Sequence, residues 1–282
     1  CCPDIYYRSN RSGAWGSELT IEEQGNRYHT TPSLTIGPEG TVHLSFLSAD
    51  GLKYARRTGN IWGASSLIEW APGFETNQVL VGGDGHPHII YSTGQQLRLA
   101  AESGDEWDIE TIDPGTEGHS FMRGAATLDA DGHLHSTYTD HYGELRYATN
   151  ASGVWAIESV AATYGRSTLA AAASGDIHVL YGSGTLAYAR RGAAWTREVL
   201  DSGDIGTMGL VLGMDERVEV AYGSRGGSLG SLRWTTNAGG KWLREIIAFE
   251  GHDPAVAMDN QGQMHVVYFD AEDGAIKHAI RQ

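Results

Sequence analysis

Over residues 124–160, apolar and polar positions alternate in four short runs with turn-forming residues between them. Residues 125–129 are apolar and end at Asp131-Gly132. Residues 133–139 alternate about His135 and Tyr138, and residues 144–149 follow a polar loop. Ser152-Gly153 then turns into a run carrying Trp155, Ile157 and Val160. A period of two, bounded by Asp-Gly and Ser-Gly, predicts four antiparallel strands joined by tight turns.

The pattern recurs along the whole chain. Its second-strand signature reads Thr41-Val-His43, His86-Pro-His88, His133-Leu-His135, Asp176-Ile-His178, Arg217-Val-Glu219 and Gln263-Met-His265. An aromatic follows three residues after each: Phe46, Tyr91, Tyr138, Tyr181, Tyr222 and Tyr268. Fourth-strand tryptophans stand at Trp15, Trp62, Trp107, Trp155, Trp195 and Trp242, spaced 47, 45, 48, 40 and 47 apart. A four-strand unit with that period can bury its faces only against its neighbours, which predicts an all-β, six-bladed β-propeller of four-stranded antiparallel blades. Units start near residues 32, 77, 124, 167, 208 and 254, and residues 1–282 form one domain on this reading. The last unit lacks a tryptophan-bearing fourth strand. Residues 4–22 resemble third and fourth strands, so an N-terminal strand, 18–22, is expected to complete the C-terminal blade and close the ring. Third-strand-like segments number seven, one too many, and 276–281 is placed in the sheet.

Composition narrows the partners. The net charge of −15 disfavours nucleic acid, whose binding needs clustered Lys and Arg. No run of about 18 apolar residues is present, so no membrane-spanning helix is encoded. The expected protein is a monomer. Its two cysteines, Cys1 and Cys2, are adjacent and cannot staple distant strands. A processed leader, with Cys1 as lipid anchor, and a trimmed start are the two readings of that terminus; the first implies a secreted, periplasmic or cell-surface protein.

The turns before the tryptophans read Ser12-Gly-Ala-Trp15, Thr58-Gly-Asn-Ile-Trp62, Ser103-Gly-Asp-Glu-Trp107 and Ser152-Gly-Val-Trp155. The chain thereby resembles the Asp-box (BNR-repeat) propellers, which include sialidases and polysaccharide-active enzymes, although the full box is absent.

Residues shared by all units are read as architecture, and polar residues that break the repeat as chemistry. The second-strand histidines, tyrosines and tryptophans fall in the first group. The second group sits in loops at one face, where strand 1 begins and where strand 2 passes to strand 3. Its repeat-aligned position reads Thr31, Thr76, Arg123, Arg166, Thr207 and Asp253. Arginine forks suit carboxylate, sulfate or phosphate, and His and Tyr suit acid–base work.

Three functions fit this set. The first is an enzyme on an anionic, uronate-type glycan. A His/Tyr/Arg constellation is similar to that of propeller ulvan lyases, which implies Arg123 or Arg166 for the uronate carboxylate and His119, His141, Tyr142 or Tyr164 for acid–base catalysis; Arg225 and Asp253, from loops on the same face, join the expected substrate-binding set. Sialidases rank lower, because no Tyr–Glu nucleophile pair is visible. The second is a lactonase- or phosphotriesterase-like hydrolase with Ca²⁺ or Zn²⁺ in the channel, held by His29, Glu75, Asn77, His252 and Asp253. The third is a glycan-binding lectin.

Overall fold

The computed structural model describes residues 4–9, 13–22, 31–48, 50–70, 76–93, 96–115, 122–224 and 230–281. The chain falls into two compact units, Cys1–Met122 and Arg123–Gln282.

In the first unit, β1 (Ile5–Tyr7) pairs antiparallel with β2 (Leu19–Glu22) as a two-stranded sheet. The next sheet runs β3 (Ser33–Ile36), β4 (Val42–Ser48), β5 (Gly51–Thr58). Its fourth strand is broken at Gly63 into β6 (Ile61–Trp62) and β7 (Ser66–Glu69), both paired to β5. A regular four-stranded sheet follows: β8 (Asn77–Val81), β9 (Pro87–Ser92), β10 (Leu97–Ser103) and β11 (Glu106–Asp113).

The second unit repeats that meander. The first sheet is β12 (Met122–Leu128), β13 (Leu134–Thr139), β14 (Glu144–Thr149) and β15 (Ala156–Ala162). The next is β16 (Arg166–Ala171), β17 (Ile177–Gly182), β18 (Thr185–Arg191) and β19 (Trp195–Ser202). Then come β20 (Ile205–Leu212), β21 (Val218–Ser224), β22 (Ser231–Thr236) and β23 (Leu243–Phe249). The last sheet has three strands, β24 (Gly251–Met258), β25 (Met264–Asp270) and β26 (Ala275–Arg281). Apart from the β1–β2 pair, the described residues thus hold six sheets.

The closing strand differs from expectation. Leu19–Glu22 pairs with Ile5–Tyr7, and β26 is the edge of a three-stranded sheet among the described residues. Trp15 lies outside any strand and is exposed. The β1–β2 pair, carrying Ile5 and Ile21, finds its cover in the nearby apolar sheet face of Leu44, Phe46 and Ala55, and sequence separation favours that local choice.

The second strands β13, β17 and β21 are buried along their whole length, whereas β25 exposes Val267 and Phe269. Each of the first three is covered on both faces, because alternate side chains point to opposite sides. Ile177, Val179 and Tyr181 of β17 pack with Leu145, Tyr147 and Val160 of the preceding sheet, while Leu180 faces Leu210, Val218 and Val220 of the following one. Each fully buried side chain of this size stabilises by about 2 kcal/mol.

The repeated aromatics knit these interfaces. A second-strand histidine Nδ1 bonds the hydroxyl of a third-strand tyrosine: His43 to Tyr54 at 2.7 Å, His135 to Tyr147 at 2.5 Å, His178 to Tyr188 at 2.7 Å. The tyrosine then meets, edge to face, a tryptophan of the next sheet: Tyr54–Trp107, Tyr147–Trp195 and Tyr188–Trp242, with ring centroids 5.1–5.4 Å apart. The second-strand histidines are therefore scaffold. Burial pushes the imidazoles down, His43 to about 4, where the Arg56 charge adds to burial. In sheet β20–β23 the pair becomes Glu219 accepting from Trp234 Nε1 at 2.6 Å, and in the last sheet His265 with His278 at 3.0 Å.

Candidate functional site

Polar loops at the strand 2–strand 3 end carry the singular residues. In the β13–β14 loop, Asp140 is buried and fixes the turn. Its Oδ1 accepts the backbone N–H of Tyr142 and of Glu144, each at 2.9 Å, and its Oδ2 accepts from Arg146 Nε at 3.1 Å. Gly143 closes the loop at φ 76°, a conformation that favours glycine. It has a second reason to be glycine. A Cβ there would stand 2.6 Å from the Tyr164 ring, so that ring lies flat against the loop. The β15–β16 connection that carries Tyr164 is tied down by Thr163 N–H donating to Gly143 O at 2.6 Å and Thr139 Oγ1 donating to Gly165 O at 3.2 Å.

These ties bring His141, Tyr142 and Tyr164 together in solvent. The His141 and Tyr142 rings are 5.8 Å apart at 74°. Tyr142 is 66% exposed and Tyr164 63%. Arg166 opens β16 two residues after Tyr164, is exposed, and meets no acceptor among the described residues. Three of the expected site residues, His141, Tyr142 and Tyr164, thus lie at one loop, and Arg166 stands at the start of the strand that follows.

The same end of the last two sheets holds a second constellation. Asp253 accepts from Thr207 Oγ1 at 2.7 Å through Oδ1, and its Oδ2 lies 2.8 Å from His252 Nδ1. Asp253 sits at φ 52°, left-handed backbone that aspartate tolerates better than most residues. The His252 ring packs 5.1 Å from Phe269. In the first unit, Asn77 is engaged by its neighbours: Nδ2 donates to Thr31 O at 2.6 Å and to Thr31 Oγ1 at 3.0 Å, and Oδ1 accepts from Ser45 Oγ at 2.5 Å. His29, Glu75, His119 and Arg225 lie outside the described residues, as does the side chain of Arg123.

Two buried clusters at this end escape a reading of motifs. Glu69 of β7 accepts from Tyr91 Oη at 2.5 Å and pairs with Arg98. Asp201 of β19 accepts from Tyr222 Oη at 2.7 Å and Arg233 Nη1 at 2.8 Å. Both are an acid at the end of a fourth strand, meeting a tyrosine and an arginine of the next sheet. Burial, then the neighbouring carboxylate, pushes Tyr91 and Tyr222 well above the usual phenol range. A Tyr–carboxylate–Arg set of this kind looks catalytic in isolation. Its recurrence in two sheet pairs and the full burial of both tyrosines make it packing. The sequence signal was there: an acid six or seven residues after a tryptophan.

The opposite, hairpin end holds the one group of potential metal-ligating side chains found among the described residues, Asp129, Asp131 and His133. Asp129 is already committed. Its Oδ1 accepts the N–H of Asp131 at 3.0 Å and of His133 at 2.8 Å, and its Oδ2 takes His133 Nδ1 at 2.9 Å and His135 Nε2 at 3.1 Å. Burial alone would raise its carboxyl, but these bonds prevail and hold it at about 2. The carboxylate accepts only, so the His135 proton is on Nε2 and its Nδ1 accepts from Tyr147.

No protein-family model and no curated protein matches the chain in sequence. Solved structures do match in shape. A polysaccharide lyase, an ulvan lyase bound to -[GlcA(1-4)Rha3S]-, superposes at TM-score 0.67 with 12% identity, over 99% of this chain and 89% of its own. AofleA from Arthrobotrys oligospora matches at 0.60 with 14% identity, over 90% and 83%. A fungal lectin from Aleuria aurantia, described as a six-bladed β-propeller with a novel fucose recognition mode, matches at 0.59 with 15% identity, over 83% of each chain. The fold of this chain is thus that of the β-propellers. No helix among the described residues is long and apolar enough to cross a membrane.

Proposed function

We propose that the protein binds a uronate-type glycan at the His141–Tyr142–Tyr164–Arg166 patch and cleaves it by β-elimination. Arg166, with Arg123, takes the uronate carboxylate and so favours loss of the adjacent proton. The His141 imidazole accepts the C5 proton. The C5–H electron pair becomes the C4=C5 double bond, and the C4–O bond breaks with its pair on the departing glycosidic oxygen. The Tyr164 hydroxyl protonates that oxygen, and Tyr142 completes the aromatic wall on which a sugar ring can rest. One observation carries this reading: the Tyr164 ring seated on Gly143 beside an exposed His–Tyr pair, one strand start from an arginine with no described acceptor. The likeness in fold to a polysaccharide lyase bound to -[GlcA(1-4)Rha3S]- supports a uronate-type glycan.

The test is incubation with uronate polymers while following the ultraviolet absorbance of the unsaturated product. Turnover should appear without added metal, and Arg166→Ala should lower it by about 10²-fold with the melting temperature unchanged. Arg123→Ala should do the same. Glycan binding with no product would assign the patch to a lectin, and turnover of esters abolished by a chelator would assign the His252–Asp253 end to a metal-dependent hydrolase; either result sinks the lyase.

A further inference from the structure

The interface between sheets β12–β15 and β16–β19 contains a four-part polar module. Arg191 lies over the Tyr147 ring, 5.5 Å from its centroid, and Trp195 meets the same ring edge-on at 5.4 Å and 78°. Both donate to one carboxylate, Glu158 of the preceding sheet. Arg191 Nη2 reaches Oε1 at 2.6 Å, and Trp195 Nε1 reaches Oε2 at 2.9 Å. That glutamate stands three residues after Trp155. Glu198, three after Trp195, likewise accepts from Trp242 Nε1 at 2.7 Å, and Glu245, three after Trp242, takes Arg281 at 2.6 Å.

Between β1–β2 and the next sheet, three of the four parts recur in the same geometry. Arg57 lies over the Tyr7 ring at 5.3 Å, and Trp62 meets that ring at 5.1 Å and 74°. Arg57 and Trp62 are cross-strand partners, as Arg191 and Trp195 are. The fourth part is not engaged. Glu18, three residues after Trp15, is exposed, and Arg57 Nε and Trp62 Nε1 are buried with no hydrogen-bond partner among the described residues. Arg57 is only 9% exposed, yet it lines a cleft of about 710 Å³ with Tyr7, Ser9, Ser17 and Asn60. Its one described hydrogen bond is Nη2 to Asn60 Oδ1 at 3.0 Å. Buried donors without acceptors destabilise the fold, and at the equivalent place a carboxylate satisfies both.

We infer that this cleft is a binding site for a ligand carboxylate, taken by Arg57, which lines it, and by Trp62 Nε1, which lies buried behind that lining, as Glu158 is taken by Arg191 and Trp195. The ligand class is a small sugar acid. The carboxylate answers the two donors, and Ser9, Ser17 and Asn60 offer partners for hydroxyls around it. The inference does not depend on cleavage at the Arg166 patch.

Calorimetric titration with free glucuronate tests it, run in Arg123→Ala/Arg166→Ala protein so that neither arginine of the proposed cleavage patch contributes. Saturable binding is expected, with none for glucose. Arg57→Gln should abolish it. Trp62→Phe, which keeps the ring on Tyr7 and removes only the donor, should weaken it about tenfold. Three results would overturn the site: no saturable uptake of glucuronate, equal uptake by Trp62→Phe, or uptake that appears only in Glu18→Gln protein. The last would mean that the chain's own glutamate fills the place.

Discussion

The two ends of sheet β12–β15 carry much the same side chains and use them in opposite ways. At the hairpin end, Asp129, His133, His135 and Tyr147 form one connected set in which the carboxylate takes four donors and the Nδ1 of His135 accepts a hydrogen bond from the tyrosine hydroxyl. At the loop end, His141, Tyr142, Tyr164 and Arg166 are exposed. The same residue types are fastened at one end and offered to solvent at the other. The difference lies in the partners and not in the identities, so identity alone is a poor guide to chemistry here.

Four measurements probe the contrast, in falling order of expected effect. Tyr147→Ala removes a fully buried ring between His135, Trp195 and Arg191, and should cost about 3–5 kcal/mol in denaturant unfolding; a cost near that of a surface mutation would dissolve the contrast. Asp129→Ala strands four donors at the hairpin end and should cost about 1–3 kcal/mol while sparing glycan turnover. Loss of turnover at full stability would show that the hairpin end is chemical after all.

Acid titration of stability comes third. The histidine pKa values are depressed in the fold, so their contribution is whole above the unfolded value of 6.5. It is lost as pH falls, for His43 until about 4. Asp129, held at about 2 against an ordinary 3.8, loses its share only between those two values. Acid unfolding should therefore begin near pH 6.5, and His43→Gln should flatten the upper part of the curve. The smallest effect is expected from zinc or calcium, which should leave the melting temperature where it is, because Asp129 is already spent on hydrogen bonds; a rise that Asp131→Asn removes would reverse that reading.

Much of the fold was legible. Apolar alternation and the tryptophan period pointed to an all-β chain of repeated antiparallel sheets, since a sheet buried on both faces needs the same residues at the same places each time. The partner of 18–22 was not legible, because alternation over four residues records a face and not a neighbour. Arg166, Tyr164, His141 and Tyr142 stand out in the sequence by their departure from the repeat, which is what makes them the proposed site. The Trp-x-x-Glu spacing of Glu158, Glu198 and Glu245 was missed. Its meaning lies across the gap between sheets, where one sheet's carboxylate answers the next sheet's donors.

Strand β26 leaves one row of backbone N–H and C=O groups without a ladder partner among the described residues, flanked by exposed Ile276 and Ile280. Such a row templates the addition of foreign strands. Here Lys277, tied to Asp270 and Asp273, and Arg281, tied to Glu245, place charge along it. We expect colloidal behaviour to follow: light scattering of a concentrated sample should climb as salt screens those charges, and should climb sooner for Lys277→Val.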